Sequence, residues 1–499
     1  MTDTTPATSA EHGAGAAVET DDQEQPDPQR WRVLGVSLVV GFMVLLDVTI
    51  VNVAVPSMRS GLDAAPGAIQ WVVSGYALAF GLTLVTGGRL GDAYGRRRLM
   101  VIGLLGFVAS SAAAGLAPDA TWLVVARLVQ GASAGLLTPQ NSGLIQTLFR
   151  GRERGVAFGT FGLVVSVSSA LGPVLGGLII AIAGTEDGWR WIFLVNVPIG
   201  LVLLVPILRL VPGRDPSAGT GRVHLDLLGA VLLGATVLSV LIPVVNVEGG
   251  TVTLLPLLVL VPVFAVAFVR WEHHVVRRGG APLLDVSLLR RTPGYASGVT
   301  IGALYFTGFT GVFLVLSVFL QEGRGLTALQ AGLLLCPFAI GSAVAAPIAG
   351  RMVDRVGRVL TVGALVVMLG ALVVLALVAP AGLPLWLALS VPLLVAGVGG
   401  GAVVSPNMTL SLADVPTRMG GAAGGALQTG QRIGAAIGAA VTMTAYQVAI
   451  ERLDDPDQAL RWGIGTSVAL LLAALAAAVW SWRAEPHPGA EASPASSSR

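Results

Sequence analysis

The chain contains no lysine, a single cysteine and few charged residues of any kind, and each scarcity excludes a class of protein. Charged residues make up 12% of the 499 residues and hydrophobic residues 54%, which is too apolar for a soluble domain of this length. One cysteine, Cys336, excludes a disulfide framework and a thiolate metal cluster within the chain. We expect it to be a small buried hydrophobic residue.

The apolar residues are grouped in blocks of roughly 20, the length at which a helix crosses a bilayer. Divided at charged or Pro/Gly-rich breaks, they predict fourteen transmembrane spans, near residues 33–55, 68–88, 99–117, 121–140, 155–183, 190–210, 225–246, 252–270, 295–320, 329–349, 359–379, 383–407, 421–448 and 463–482. Polar residues 1–30 and 484–499 are predicted to be disordered tails, and no cleavable signal peptide is expected.

The arginines between the spans are distributed unevenly. If the N-terminus is cytoplasmic, most of them fall in cytoplasmic loops, and many loop carboxylates fall outside. Positive charge favours the cytoplasmic side of short loops. The sequence therefore predicts a multi-pass protein of the bacterial cell membrane with both termini in the cytoplasm.

A charged segment occurs twice. GGRLGDAYGRRRLM at residues 87–100 returns as AGRMVDRVGRVLTV at residues 349–362. A charged loop duplicated between apolar halves is typical of a transporter built from two related helix bundles. The copies follow spans two and ten. They predict one bundle in residues 31–212, a second in residues 293–483, and two inserted spans with their loops in residues 213–292.

Six motifs occur in a characteristic order: LDVTIVNVAVP, GGRLGDAYGRRR, ARLVQGASAG, SSALGPVLGG, WRWIFLVNVPIG and VPTRMGGAAGGALQTGQRIGAAIG. Together they resemble the major facilitator superfamily, and most closely its fourteen-helix drug/proton antiporter branch. The resemblance runs from about Trp31 to Trp482. It implies an all-α integral membrane protein with the major facilitator fold, two six-helix bundles plus two inserted helices.

Asp47 is the only carboxylate well inside a predicted span, and such groups usually mark functional sites. Burial disfavours the ionised form, which makes proton exchange near neutral pH feasible. At about 1.5 Å per residue, Asp47 in span one and Arg127 in span four lie at similar depths. The resemblance implies that the arginine of ARLVQG takes part in proton coupling. The alternatives are a permanently paired structural Asp47, and an Arg127 that snorkels or binds carbonyl groups.

The resemblance implies that the duplicated loops are gates. In such proteins the aspartate of the loop meets the N-terminus of a helix in the opposite bundle, whose positive end stabilises a carboxylate. We expect the first copy to face the start of span thirteen, near residues 420–425, and the second copy to be a weaker lock. Simple positive-inside charge is the alternative for both. The expected gating residues are Gly88, Asp92, Gly95, Arg96, Asp354 and Arg358.

The motif SSALGPVLGG in span five resembles the one associated with antiporters of this superfamily. Gly172, Gly176 and Gly177 give a smooth face for close helix approach, and Pro173 bends the helix. Generic tight packing explains these glycines equally well. The resemblance favours export because family members with this motif are mostly exporters.

Polar and aromatic side chains within the spans are candidates for substrate binding. Tyr305, Phe309 and Phe313 repeat at helical spacing, although such a stripe is more often lipid-facing or interfacial. Arg432 in span thirteen is expected to meet an anionic substrate or to bridge carbonyl groups. Some members of the resembling family that export dications carry acidic residues within late helices, and no acidic residue lies well inside spans nine to fourteen here. The resemblance therefore disfavours a strictly dicationic substrate and leaves neutral, monocationic and anionic compounds open. The candidate substrate-binding residues are Asn52, Tyr76, Asn141, Tyr305, Phe309, Asn407, Gln428 and Gln431.

These features predict a proton-coupled antiporter that exports amphipathic small molecules, such as drugs, antibiotics or a secondary metabolite, by alternating access. Proton-coupled uptake is the alternative within transport. An integral membrane enzyme is disfavoured because the five histidines form no carboxylate–histidine cluster at helical spacing. The sequence has no phosphate-binding Walker loop. We expect no cofactor, metal or nucleic acid, and a monomer whose partners are the bilayer, protons and the substrate.

Overall fold

In a computed structural model, the described residues are 27–64, 66–184, 186–213, 226–248, 253–280, 282–379 and 384–484. Fourteen helices within them are long and apolar enough to cross a membrane, as predicted. Spans one to fourteen are Arg30–Gly61, Pro66–Tyr94, Arg96–Gly115, Ala120–Leu148, Gly151–Ala183, Gly188–Leu210, Leu227–Glu248, Leu255–Arg277, Pro293–Gly323, Ala328–Val356, Arg358–Val378, Leu385–Ser411, Gly420–Leu453 and Pro456–Ala484. Both predicted tails lie outside the described residues, apart from the few residues next to the spans.

Several spans are longer than the apolar blocks that predicted them. Span four begins after Asp119, whose side chain accepts a hydrogen bond from the backbone N–H of Trp122. It then continues to Leu148 through the polar sequence that follows its apolar block. Hydropathy marks where a helix contacts lipid, whereas backbone hydrogen bonds and caps decide where it ends.

Each bundle has its own apolar core. Buried side chains of spans one to four and six, among them Val44 and Phe107, form clusters in the first bundle. A larger cluster, which includes Leu316 and Leu365, joins spans nine to fourteen. Burial of these side chains holds each bundle together as a unit, the arrangement that the predicted major facilitator fold requires.

We call the end of the molecule at which span one begins and span fourteen ends the terminal face. A separate apolar cluster near this face joins the bundles, with Leu34 and Phe158 from the first and Met408 and Leu427 from the second. Because odd-numbered spans begin at this face, the start of span thirteen meets the ends of spans two and four here. The bundles are therefore closed against each other at the terminal face.

The inserted spans seven and eight lie against spans two and thirteen. Phe268 of span eight packs in one cluster with Val85 of span two, and Val240 of span seven packs with Ala440 of span thirteen. The prediction that span eight ends near residue 270 was wrong, because the helix continues to Arg277. Glu272 lies inside this helix, and it is fully buried. Asp47 is thus not the only carboxylate enclosed by a span.

Candidate functional site

Asp47 lies midway along span one, and only 1% of its surface is exposed. Its Oδ2 accepts a hydrogen bond from Arg127 Nη1 at 2.6 Å. Its Oδ1 accepts hydrogen bonds from Gln130 Nε2 and Asn196 Nδ2, both at 2.9 Å. The two predicted proton-coupling residues are therefore brought together, and amide donors saturate the second carboxylate oxygen.

Arg127 has further partners within the first bundle. Its Nε donates to the carbonyl oxygen of Val72 at 3.1 Å, and its Nη1 also donates to Gln130 Oε1 at 2.7 Å. The guanidinium carbon lies 4.1 Å from the centroid of the Tyr76 ring. Arg127 thus pairs with Asp47 and also binds a carbonyl group. The sequence had suggested proton coupling and carbonyl binding as alternatives for this residue, and the structure shows that the side chain makes both kinds of contact.

Gln130 and Asn196 are site residues that the sequence prediction missed. Gln130 follows Arg127 by three positions and so lies on the same helix face, where its Nε2 also donates to Ser111 Oγ at 2.8 Å. Asn196 reaches the site from span six. Both belong to motifs already noted, ARLVQG and WRWIFLVNVPIG. An amide side chain inside an apolar span was therefore the signal that could have identified them.

Span five packs against span one beside Asp47. A Cβ on Gly172 would lie 3.0 Å from the backbone nitrogen of Ile50, and one on Gly176 would lie 3.0 Å from the carbonyl oxygen of the same residue. Thr49 Oγ1 donates to the carbonyl oxygen of Ser168 at 3.2 Å. The glycines of the predicted antiporter motif thus allow close contact within two to three residues of Asp47.

The other half of this motif faces the second bundle. A Cβ on Gly177 would lie 3.8 Å from side-chain atoms of Leu329 in span ten. A Cβ on Gly332 of span ten would lie 3.1 Å from Pro173 Cβ. Span five therefore contacts both the span that carries Asp47 and the opposite bundle.

The first charged loop reaches across the bundles at the terminal face. The side chain of Asp92 is only 1% exposed, and its two carboxylate oxygens accept hydrogen bonds from the backbone N–H groups of Gly421 at 3.1 Å and Ala422 at 2.9 Å. These N–H groups belong to the first turn of span thirteen, and the N-terminal end of a helix favours negative charge. The structure thus brings Asp92 to the helix end that the resemblance implied.

Gly88 and Arg96 extend this contact. A Cβ on Gly88 would lie 2.1 Å from the carbonyl oxygen of Gly421, so the two backbones touch. Arg96 Nη2 donates to Asp92 Oδ1 at 3.1 Å and to the carbonyl oxygen of Thr417 at 3.3 Å. Gly95 has a φ of 96°, which glycine adopts without strain and which turns the chain between spans two and three.

The second charged loop is arranged differently. Asp354 is exposed and makes no hydrogen bond or ion pair with a described residue. Arg358 turns into its own bundle, where its Nη1 donates to Asn407 Oδ1 at 3.2 Å and its Nη2 to the carbonyl oxygen of Gly294 at 2.7 Å. The two copies are similar in sequence, but within the described residues only the first hydrogen-bonds its aspartate to backbone N–H groups of the opposite bundle. Asp354 interacts with Arg154 of span five electrostatically, without a direct hydrogen bond.

Most candidate substrate-binding residues have structural partners. Tyr76 contacts Arg127, Asn141 accepts a hydrogen bond from Ser37 within the first bundle, Asn407 holds Arg358, and Gln428 donates to Ser142 across the bundles. Asn52 is exposed and Gln431 half-buried. The amide of Gln431 lies beside Gly302 of span nine within the second bundle, whereas its neighbour Arg432 faces Phe80 of the first bundle.

The aromatic stripe of span nine is part of an aromatic cluster. Tyr305 is buried, and its ring stacks on Phe309 with centroids 5.3 Å apart. Phe309 and Phe313 both contact Phe338 of span ten, at 5.2 and 4.8 Å. The alternative of a lipid-facing or interfacial position therefore does not apply to Tyr305. The Tyr305 ring packs against neighbouring aromatic rings, and sequence spacing alone does not reveal these contacts.

The sequence is similar to several bacterial transport and resistance proteins. A Streptomyces coelicolor protein named "probable actinorhodin transporter" is 36% identical over 84% of this chain and 73% of its own length. A puromycin resistance protein of Streptomyces alboniger is 36% identical, over 86% of this chain and 84% of its own. A methylenomycin A resistance protein of Streptomyces coelicolor is 32% identical, over 91% and 92%.

Solved structures share the fold at low sequence identity. The human organic anion transporter MFSD10 superposes with a TM-score of 0.66 at 18% identity, covering 90% of this chain and all of that one. The proton:xylose symporter XylE superposes with a TM-score of 0.65 at 16% identity, covering 92% and 96%. The family model described as Major Facilitator Superfamily matches residues 37–439. With its fourteen spans and two joined bundles, this chain belongs to the major facilitator superfamily and is a membrane transporter, not an enzyme.

Proposed function

We propose that the chain is a proton-coupled antiporter that exports amphipathic small molecules across the bacterial cytoplasmic membrane by alternating access. The main support for this proposal is the buried ion pair between Asp47 and Arg127. An intramembrane carboxylate is expensive to keep and is a functional site by default. The terminal face, with its arginine-rich loops, lies in the cytoplasm in this scheme.

Proton transfer to Asp47 changes the balance of charge inside the first bundle. The neutral carboxyl no longer attracts Arg127, whose remaining partners are the carbonyl oxygen of Val72 and Gln130 Oε1. Span one then shifts against span five at Gly172 and Gly176, where the backbones are in contact. Because span five also contacts span ten, this shift reaches the second bundle and favours opening of the terminal face.

The structure corresponds to the state closed at the terminal face. Asp92 on the first turn of span thirteen and the contact between Gly88 and Gly421 hold this state. A compound enters from the cytoplasm when these contacts open, and it leaves on the other side after they close again. The names of the relatives support export of antibiotic-like molecules, since they refer to resistance to puromycin and methylenomycin A.

Everted membrane vesicles test the proposal directly. Vesicles from a strain without its own exporters are acidified inside by respiration and supplied with ethidium, rhodamine 6G or fluorescein. We expect accumulation of at least one dye that depends on this chain and that stops when nigericin collapses the pH gradient. Dye transport that continues at the same rate after the pH gradient has collapsed would exclude proton coupling. Depletion of dye from the vesicles would favour proton-coupled uptake instead.

Replacing Asn196 should alter the pH dependence of transport without abolishing it. Asn196→Leu removes one of the hydrogen bonds that stabilise ionised Asp47, so protonation becomes easier and the pH optimum moves upward. The pH profile of dye efflux in energised vesicles measures this shift. Gln447→Leu, at an exposed position of span thirteen, is the matched control. A profile of Asn196→Leu that superposes on the wild type would contradict a role for this amide in proton binding.

A further inference from the structure

Arg432 is a half-buried arginine to which the proposed proton cycle assigns no role. It lies in span thirteen, seven residues beyond Gly425, whose Cα approaches the carbonyl oxygen of Leu84 in span two. At 1.5 Å per residue, this places Arg432 about 10 Å further from the terminal face than that contact between bundles. The residue is therefore near the middle of the molecule, where the bundles meet.

The orientation of span thirteen points Arg432 toward the first bundle. Gly430 and Gly434 face Val299 and Ala303 of span nine, within the second bundle. Arg432 is two positions from each of them and so lies on the other side of the helix. Its guanidinium carbon is 4.6 Å from the centroid of the Phe80 ring in span two.

The N–H donors of Arg432 have no acceptor among the described residues. Its guanidinium makes no hydrogen bond and no ion pair with them, and it lies over the ring of Phe80. A guanidinium has five N–H donors in a planar fork. The two deeply buried arginines differ, since Arg127 donates to Asp47 and Val72, and Arg358 donates to Asn407. Arg432 alone of these three keeps its donors available.

The charge balance around Arg432 is positive. The carboxylate of Asp47 is already paired with Arg127, and no acidic residue lies well inside spans nine to fourteen. A charged arginine within a helix bundle is costly unless it faces a partner or a water-filled path. Contact with Phe80 contributes a cation–π attraction but provides no hydrogen-bond acceptor for the N–H groups of the guanidinium. No described residue supplies that partner, so the position can accept an anion from outside the chain.

We propose that Arg432 is the anion-binding residue of the transported compound, and that this compound is an amphipathic organic acid bound through a carboxylate or phenolate. The guanidinium fork binds a carboxylate with two parallel hydrogen bonds, while the apolar part of the molecule contacts the surrounding aliphatic and aromatic side chains. This assignment rests on the proposed export of amphipathic molecules and names their chemical class.

Matched probes of different charge test this assignment on the full-length protein in detergent. The probes are 2-naphthoate and its neutral counterpart 2-naphthamide, and isothermal titration calorimetry measures their affinities. We expect the wild type to bind the naphthoate at least roughly tenfold more tightly than the amide. Arg432→Gln should lose this preference through weaker naphthoate binding with unchanged amide binding, and Arg432→Lys should retain part of it.

Two controls make the result decisive. Arg461→Gln removes one positive charge at an exposed position of span fourteen and should leave both affinities unchanged. Thermal unfolding of each variant verifies that it is folded. Equal affinity of the wild type for both probes, or a preserved preference in Arg432→Gln, would overturn the assignment. The measurement uses no pH gradient and no transport, so its outcome is independent of whether Asp47 couples export to protons.

Discussion

Asp47→Asn is expected to abolish proton-driven efflux while the protein still inserts into the membrane. Asparagine has nearly the same shape and accepts hydrogen bonds from Gln130 and Asn196, but it cannot take up and release a proton near neutral pH. Dye efflux driven by an imposed pH gradient in proteoliposomes measures the effect. We expect a loss of at least roughly a hundredfold, which corresponds to the general scale of removing an essential proton-transfer group.

A loss of stability has to be separated from a loss of coupling in this experiment. Asp47→Asn leaves Arg127 buried without its counter-charge, and breaking a buried pair in this way costs about 3–5 kcal/mol. The double variant Asp47→Asn with Arg127→Gln removes both charges and should recover much of the stability. It should remain inactive, because no protonatable group returns.

The exposed carboxylate of Asp63 provides the matched control for the charge change. Asp63 has a φ of 45°, a left-handed conformation that asparagine tolerates, so Asp63→Asn should fold and transport normally. Proton-driven efflux by Asp47→Asn at the wild-type rate, with equal amounts of protein in the membrane, would show that Asp47 is a structural residue.

Gly88→Ala is expected to prevent closure of the terminal face and to reduce transport by more than roughly tenfold. The added Cβ would lie 2.1 Å from the carbonyl oxygen of Gly421 and 2.9 Å from the backbone nitrogen of Ala422. Both are backbone atoms of the first turn of span thirteen, so the helices must separate. Asp92 then loses its two N–H donors in the opposite bundle.

A cysteine at the contact between the bundles reports this separation. Ser142 is buried there and accepts a hydrogen bond from Gln428 Nε2 at 3.1 Å. In a Cys336→Ala background, the thiol of Ser142→Cys should react faster with a membrane-impermeant maleimide when Gly88→Ala is also present. Gly363→Ala is the control, because Gly363 is an exposed helix glycine with no atom within 4 Å of an added Cβ. Unchanged labelling and unchanged transport in Gly88→Ala would contradict the gating role.

The duplicated loops illustrate how similar sequences take different roles. Asp92 and Asp354 occupy equivalent positions in their copies, but in the described structure only Asp92 accepts hydrogen bonds from the N-terminus of an opposite helix. The sequence suggested a weaker second lock because it has fewer neighbouring arginines. The structure adds that Arg358 is used inside its own bundle. A repeat identifies positions with a shared origin, whereas their contacts depend on the helices opposite.

The spans, the family and the ion pair were available from the amino-acid sequence by itself. Hydropathy identifies a membrane helix because roughly 20 apolar residues are needed to cross the hydrocarbon, and this requirement is local to each segment. Asp47 and Arg127 were recognisable because charges inside apolar spans are rare and costly. Similar depth along two helices made them candidate partners, and the structure brings them together as an ion pair.

Only the tertiary structure decided which helix faces turn toward each other. It showed that Tyr76, Asn141 and Asn407 contact protein partners, while their role in substrate binding stays a prediction. It also showed that Gln130 and Asn196 complete the site of Asp47. Helical periodicity gives the face on which a side chain lies, but not the neighbour that this face meets, because the rotation of each helix is set by packing against all the others. For the same reason, only the tertiary structure showed that the guanidinium of Arg432 lies over Phe80 and makes no hydrogen bond with a described residue.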